Sequence, residues 1–207
     1  MRNRLLAILV CSFVSCGQNP DQLTADRNNM IKAAYPLIKN YYEDIYSKGA
    51  RTEETSTDST GGIVYYNIPK NKDDYDGYLV DITIPQKIGI NLYESNPILF
   101  GDLDHDNKEE MIMTVHTEGG GGGGNIASQD VFVFRKSNDS LEILCTVPDG
   151  SLCNCSDGMF RSKKIEKGLI IGISSCYKED DGRCCPSVQS VSAVSLSGNT
   201  LKSVKGN

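Results

Sequence analysis

The chain has 207 residues, which is enough for one well-buried domain and too few for several. It carries 27 acidic and 21 basic residues, a formal net charge of −6, and no stripe of lysine and arginine. This charge balance excludes the electrostatic footprint of a typical nucleic-acid-binding protein.

The first residues have the pattern of an export signal. Two arginines precede the apolar run 5–14, which is too short to form a stable membrane span. The sequence Phe-Val-Ser-Cys-Gly that follows resembles a bacterial lipobox, with Phe13 in place of the usual Leu. The resemblance implies that residues 1–15 are removed and that Cys16 is lipidated. The alternative is an ordinary cleaved secretory signal.

Loss of residues 1–15 removes Arg2 and Arg4 and leaves 19 basic and 27 acidic residues. We predict that residues 16–22 form a lipidated tether and that 23–207 form a single globular domain. No later apolar run approaches the ~20 residues of a spanning helix. The body of the protein should therefore stand off a bacterial membrane on its anchor, in the periplasm or at the cell surface.

Residues 23–48 have the periodicity of an amphipathic helix. Its apolar positions, three and four residues apart, include Met30, Ile31, Ala34, Leu37, Ile38, Tyr41 and Ile45. Pro36 either kinks this helix or begins a second one, and Gly49 supplies a stop. Residues 51–62 are rich in Thr, Ser, Glu and Asp, and we predict a polar loop there.

Residues 62–204 show a period of two, which is typical of β-strands. The β-rich runs are 62–68, 78–84, 98–100, 111–116, 131–135, 141–147, 164–166, 169–174, 190–196 and 201–204. Turn residues at 137–140, 166–168 and 197–199 predict antiparallel hairpins. The fold class is therefore α+β, with an N-terminal amphipathic helix packed on a mostly antiparallel β body.

The segment GDLDHDNKEEM, residues 101–111, concentrates five carboxylates between two apolar runs. Alternating aspartates repel one another unless a cation neutralises them, and their hard oxygen atoms suit Ca²⁺. An EF-hand is excluded because Met113 stands at position 12, where that motif needs Glu, and because strands flank the segment.

The segment resembles the calcium loop of FG-GAP-type repeats, strand, Asp-x-Asp-x-Asp-Gly-x-x-Asp, strand, and Phe100-Gly101 match the FG. The resemblance implies ligation by the side chains of Asp102, Asp104, Asp106 and Glu110 and by the backbone carbonyl of Lys108. Glu109 falls at an even position and outside the ligand set.

Two residues depart from that pattern. Asn107 replaces Gly at position 6, but Asn tolerates the left-handed conformation that the turn needs. Glu110 replaces Asp at position 9 and still offers a carboxylate. The alternatives are a solvated acidic turn without an ion, or Mg²⁺ or another metal.

Metal-dependent catalysis would need a base beside the ion, and His105 and His116 are the two histidines of the chain. We interpret His105 as an outward-pointing loop residue and His116 as a residue at a strand end. A non-enzymatic binding or structural module is therefore the preferred function, and a metal-assisted hydrolase that uses the Asp/Glu cluster is the alternative.

FG-GAP repeats build propellers from several copies, whereas this chain contains the pattern once, which excludes a propeller. Over residues 98–204 the chain resembles small bacterial envelope lipoproteins with one such loop, a glycine run and a Cys-Cys-Pro-Ser motif. Here the last two are 119–124 and 184–187. The resemblance implies a fold and a location but no substrate, and a protein or glycan partner stays undefined.

The glycine run lacks the Gly-Lys-Ser/Thr of a phosphate-binding loop, so we expect a mobile strand connection. Six cysteines lie beyond the anchor, and an even number in an exported chain predicts up to three disulfides. They are Cys145, Cys153, Cys155, Cys176, Cys184 and Cys185. Their spacing leaves 15 connectivities open. A metal-thiolate site is the alternative, without the usual zinc spacing.

Overall fold

A computed structural model of the chain describes residues 20–46, 50–68, 78–92, 95–119, 127–138, 140–153, 155, 158–182 and 186–204. These residues include one α-helix, one short 3-10 helix and eleven strands, and the α+β prediction is confirmed. The elements are α1 (Pro20–Tyr46), β1 (Arg51–Ser56), β2 (Thr60–Ile68), β3 (Tyr78–Pro85), β4 (Ile98–Gly101), β5 (Glu110–Gly119), β6 (Ala127–Ser137), β7 (Ser140–Pro148), a 3-10 helix (Asp149–Leu152), β8 (Gly158–Glu166), β9 (Leu169–Cys176), β10 (Val188–Leu196) and β11 (Leu201–Val204).

The strands form two antiparallel sheets. The larger sheet has seven strands in the order β1-β2-β3-β5-β6-β7, and β4 pairs with β5 beside that path. The smaller sheet has the order β11-β10-β9-β8. Helix α1 covers one face of the seven-stranded sheet and the smaller sheet covers the other, so the central sheet is buried on both sides.

Helix α1 begins at Pro20, so residues 20–22, predicted as part of the tether, are helical. Proline suits the first helical position because its missing N–H needs no partner there, and Asp21 in the first turn favours the helix dipole. Pro36 lies inside the same helix, so a second helix does not begin there. Residues 47–49, which include the predicted stop at Gly49, lie outside the described residues.

The helix buries one stripe of side chains against the seven-stranded sheet. The buried residues of this stripe are Met30, Ile31, Ala34, Ile38 and Tyr42. They pack on residues of β2, β3, β5 and β6, including Phe132, whose ring lies 5.1 Å from that of Tyr41 in an edge-on contact. The hydroxyl of Tyr42 donates to the Asp130 carboxylate at 2.7 Å. Burial of apolar area drives this packing, and the hydroxyl finds its acceptor at the sheet surface.

The second core lies between the two sheets. Ile112, Val131 and Val133 of the central sheet contact inward residues of the smaller sheet, among them Phe160, Ile170 and Val194. Leu103, from the acidic segment, is 2% exposed and belongs to this core. The acidic segment is therefore tied to the interior by one of its own side chains.

Each of the ten predicted β-rich runs lies within one of the strands β2 to β11. The prediction of a polar loop over 51–62 is wrong, because β1 pairs with β2 along six consecutive residues. All six side chains of β1 are exposed, so the strand is stabilised by its backbone hydrogen bonds to β2 and not by burial of side chains. Its charged residues protect a sheet edge, and Glu54 reaches back to Lys39 of the helix.

The three predicted hairpins are present. Ser137 pairs with Ser140, Glu166 with Leu169, and Leu196 with Leu201. In the second of them, Lys167 and Gly168 both have positive φ, at 52° and 74°. Two positive φ values in a two-residue loop match the twist of the flanking strands.

Within the described residues, no helix has both the length and the apolarity that a membrane span requires.

The carboxyl group of Asp149 is buried where the 3-10 helix meets the second core. Asp149 is 5% exposed. Burial raises the pKa of this carboxyl to about 6, although backbone N–H groups of Gly150, Phe160 and Gln129 act in the opposite direction. The folded protein therefore holds a proton on Asp149 at pH values where the unfolded chain has released it.

We expect the free energy of unfolding to fall between about pH 4 and pH 6 through Asp149, because a folded-state pKa above the unfolded value favours the folded state at low pH. Asp149→Asn removes this ionisation. The unfolding free energy of the variant minus that of the wild type should rise by up to about 3 kcal/mol from pH 4 to pH 7. Urea titrations at each pH measure this difference, and a difference that stays constant across the range contradicts the assignment.

Candidate metal centre

The acidic segment closes the β4–β5 hairpin. Gly101 and Glu110 are the last paired residues of the two strands, so residues 102–109 form the connection. The elements that precede and follow the loop in the chain are strands, as expected from the sequence, and not the helices of an EF-hand. The connection is thus held at both ends by the backbone hydrogen bonds of a buried sheet.

Three of the predicted ligands come together. Asp102, Asp104 and Asp106 each place a carboxylate oxygen so that the three atoms lie within 4.8 Å of one another. Asp102 is half-buried, and the other two are exposed. Two like charges at this separation repel by about 1 to 3 kcal/mol near a protein surface, which a bound cation would offset. The group can therefore hold a metal ion through hard oxygen atoms.

Backbone N–H groups fix the aspartates in this arrangement. The N–H groups of Asp106 and Asn107 donate to the two carboxylate oxygens of Asp102, at 3.1 and 3.0 Å. The N–H of Lys108 donates to Asp106 Oδ1 at 2.8 Å. The chain turns around the carboxylate of Asp102, which leaves the other carboxylates close by.

Two residues of the turn have left-handed backbone. Asn107 has φ of 66°, as expected for the residue that replaces Gly. His105 has φ of 63°, and its imidazole lies against Gly168 in the β8–β9 turn. A Cβ on Gly168 would come within 2.5 Å of His105 Cε1, so a side chain at this position would displace the imidazole from the turn. The loop therefore touches the smaller sheet through His105 as well as through Leu103.

Glu110 lies outside the group of three aspartates. It is fully buried, and its Oε2 accepts the N–H of Leu103 at 2.9 Å. Its Oε1 accepts Nε of Arg135 at 3.2 Å, and the same guanidinium contacts Asp104. Both oxygens of Glu110 thus have partners within the protein. Its role as a metal ligand, and that of the Lys108 carbonyl, stay predictions.

Arg135 was missed by the sequence analysis. It lies on β6, next to Phe134, which pairs with Met111. The antiparallel register therefore brings it beside Glu110. Its signal in the sequence is weak, since it is the first of two basic residues after the run Val-Phe-Val-Phe, 25 positions from Glu110. Only the pairing of β5 with β6 identifies its partner.

Glu109 points to the helix. Its carboxylate accepts two hydrogen bonds from the guanidinium of Arg27, at 2.6 and 3.0 Å, and that guanidinium lies over the ring of Phe100. Beside this ion pair is a cleft of about 380 Å³ between α1 and the loop, lined also by Asp26, Lys108 and Lys136. The three clustered aspartates do not line it. A molecule in the cleft would therefore face the ion pair rather than the carboxylate group.

The prediction that His116 lies at a strand end is wrong, because β5 continues to Gly119 and the histidine is buried within it, where its Nε2 bonds to Glu118 at 2.9 Å. It lies six residues along the strand from Glu110 and belongs to a different part of the sheet. His105 is exposed, as expected, and adjoins the loop.

The structure describes four of the six cysteines that were predicted to form disulfides. Cys155 and Cys176 form a disulfide with a Cα–Cα distance of 6.1 Å, whereas Cys145 and Cys153 are free thiols in the second core. Two of the four described candidates therefore form a disulfide. Burial raises the pKa of the Cys153 thiol to about 11, so it stays protonated at neutral pH.

Several predicted features lie outside the described residues. They are the signal segment 1–15, Cys16, the glycines 120–124, and Cys184 and Cys185 with the start of the Cys-Cys-Pro-Ser motif.

No protein-family model, curated protein or solved structure matches the chain. The resemblance to FG-GAP-type loops therefore depends on the residues of the hairpin alone.

We expect Glu110→Gln to lower the free energy of unfolding by about 2 to 3 kcal/mol, because it removes the buried charge that Arg135 and the Leu103 N–H bind. The matched control is Glu109→Gln, whose partly exposed ion pair with Arg27 should contribute less than about 1 kcal/mol. Urea unfolding in the presence of a chelator measures both without a metal contribution. If the two variants lower the free energy of unfolding equally, the buried ion pair of Glu110 stabilises the protein no more than the partly exposed pair of Glu109.

Proposed function

We propose that this chain is an exported, lipid-anchored envelope protein in which residues 102–110 bind Ca²⁺, and that the ion stabilises a binding or structural module. The observation that carries the proposal is the convergence of three carboxylates from alternate positions of one hairpin connection. The guanidinium of Arg135 contacts Asp104 and supplies one positive charge against three carboxylates, so the group keeps a net negative charge that a cation can neutralise.

Calcium is the ion that this donor set favours. The clustered atoms are all carboxylate oxygens, which exclude a preference for softer metals such as zinc. Ca²⁺ accepts six to eight oxygen ligands in an adaptable geometry, whereas Mg²⁺ requires a near-ideal octahedron. Two of the aspartates are exposed, so water can complete the coordination shell.

A structural role is supported by the contacts that the loop makes with both sheets. It joins β4 to β5, places Leu103 in the core between the sheets, and places His105 against Gly168. An ion on the aspartates would therefore stabilise a connection that contacts both sheets. No observation favours the hydrolase, because the adjoining cleft is lined by other residues.

Export is supported by residues 1–16 and by the cysteine chemistry. The basic, apolar and Cys16 segments have the order of a lipoprotein signal. The Cys155–Cys176 disulfide is typical of an oxidising compartment outside the cytoplasm.

We expect Ca²⁺ to raise the melting temperature of the purified protein and a chelator to reverse the change. At a free ion concentration 100 times the dissociation constant, the stabilisation is about 2.7 kcal/mol. Asp104→Asn should abolish the response, because it removes one of the three converging carboxylates. The control is Glu109→Gln, which changes an acidic residue of the same loop outside the group and should keep it. Differential scanning calorimetry with and without Ca²⁺ measures the effect. A Ca²⁺ response that survives Asp104→Asn counts against the site, and no response in the wild type refutes the proposal.

Lipidation is tested separately. Mass spectrometry of the mature chain from a bacterial host should find an N-terminal Cys16 with covalently attached acyl chains. Cys16→Ser should leave an unlipidated chain that leaves the membrane fraction. A wild-type N-terminus elsewhere, without acyl chains, contradicts the anchor and leaves the calcium proposal unaffected.

A further inference from the structure

The carboxylate of Asp104 already holds a cation, and that cation belongs to the chain itself. The guanidinium of Arg135 donates one hydrogen bond to Asp104 Oδ2 and another, from Nε, to Glu110 Oε1 at 3.2 Å. Side-chain positive charge is thus drawn to the group of aspartates without any bound ion. Arg135 therefore connects an exposed carboxylate of the loop to a buried carboxylate at the start of β5.

Glu110 keeps the guanidinium beside the loop. Glu110 is fully buried, and Arg135 lies opposite it, because Met111 pairs with Phe134 in the antiparallel register of β5 and β6. A buried carboxylate that loses its cationic partner is costly, so the bond from Nε should persist whether or not an ion is present. The other end of the guanidinium stays within reach of Asp104 and acts there at a high effective concentration.

An ion bound by the loop has to share Asp104 with this guanidinium or replace it. Both oxygens of Asp104 accept hydrogen bonds, Oδ1 from the N–H of Asp106 at 3.2 Å and Oδ2 from Arg135. The oxygens of Asp102 accept neutral backbone N–H groups, which a cation tolerates. A charged donor differs from these, because a bound cation repels it. Asp104 is therefore the carboxylate at which an ion and Arg135 compete.

The repulsion is large enough to determine the ion affinity. A divalent ion and a unit charge about 4 Å apart repel each other enough to lower a binding constant by about tenfold or more, even at the dielectric constant of water. Salt weakens this repulsion little, because the Debye length at physiological ionic strength is about 8 Å. We therefore expect the loop to fill only at about 0.1 to 1 mM Ca²⁺, the range of extracellular calcium modules.

We propose that Arg135 regulates the ion site as a competitor built into the chain. It occupies Asp104 in the ion-free protein, and it releases Asp104 but keeps Glu110 when Ca²⁺ binds. This role rests on the proposed calcium loop and assigns the control of its affinity to a residue outside that loop. Filling the site exchanges a bond between the loop and β6 for bonds between the loop and the ion.

Arg135→Gln tests the competition. Isothermal titration calorimetry of the purified chain with calcium chloride should find an affinity about tenfold higher than that of the wild type, because the variant removes the positive charge at Asp104. Without the ion, the same variant should be less stable than the wild type, because Glu110 loses its charged partner. A purely structural role for Arg135 predicts the opposite change in affinity, since a destabilised loop binds an ion more weakly.

Lys136→Gln is the matched control. Lys136 is the next residue of β6, is exposed, and lies 3.7 Å from Asp26 of the helix. Successive side chains of a strand point to opposite faces, so this variant removes an equal charge from the side away from Glu110. Its Ca²⁺ affinity should change by less than about twofold, because salt screens the longer distance.

A second comparison avoids the unpaired buried charge that Arg135→Gln creates. Both chains in this comparison carry Glu110→Gln, and one of them also carries Arg135→Gln. The double variant should bind Ca²⁺ at least about tenfold more tightly than the single variant. Because both chains lack the charge of Glu110, the ratio reports on Arg135 whether or not Glu110 is itself a ligand.

The release of Asp104 has a signal of its own. NMR of isotope-labelled arginine side chains should show faster rotation of the Nη groups of Arg135 at saturating Ca²⁺, because the bond to Asp104 is lost. The Nε–H resonance should keep its position, because the bond to Glu110 remains. Nη groups that rotate equally slowly with and without the ion would contradict the release.

The outcomes separate this role from the calcium site. If the wild type binds Ca²⁺ and removal of Arg135 raises the affinity in neither comparison, Arg135 is not a competitor and the calcium site stands. If the wild type and all variants fail to bind Ca²⁺, the proposed site is wrong and the role of Arg135 fails with it.

Discussion

Burial of strand β5 on both faces is the constraint on which the other layers depend. Its residues from Glu110 to Thr117 are all buried, with Met111 and Met113 toward the helix and Ile112 toward the smaller sheet. Leaving one of these apolar side chains exposed would lower the free energy of unfolding by about 1.5 to 3 kcal/mol. A strand of this composition therefore needs cover on both sides. Helix α1 supplies one cover and the four-stranded sheet supplies the other, and the three-layer fold follows.

The same burial organises the acidic loop, because β5 begins with a charged residue. A buried carboxylate requires compensating donors, and Glu110 obtains them from Arg135 and from the N–H of Leu103. That N–H belongs to the residue between Asp102 and Asp104, and Arg135 also contacts Asp104. The geometry of the exposed carboxylates is thus coupled to a charge inside the protein. An ion bound by the aspartates would therefore further stabilise a loop whose position is already fixed by buried groups.

Much of the fold was predictable, since local periodicity reports burial directly. The helix and the strands β2 to β11 were found from spacings of 3.6 and 2, and three hairpins from their turn residues. Strand β1 was missed because its six side chains are exposed and its stability comes from backbone pairing, which leaves no apolar pattern. The start of the helix was misplaced by three residues, because Pro20 and Asp21 are polar or turn-forming residues that also suit a first helical turn.

The sequence by itself determined the features that depend only on residues close together in the chain. It specified the alternation of Asp102, Asp104 and Asp106, and the left-handed turn at Asn107, because the reach of a short loop is set by its own backbone. The tertiary structure alone decided the pairing of Glu110 with Arg135, the choice of Cys155 and Cys176 among 15 connectivities, and the exposure of Val191. Those outcomes depend on strand order and register, which bring together residues far apart in the chain and leave no periodic signal in the sequence around either one.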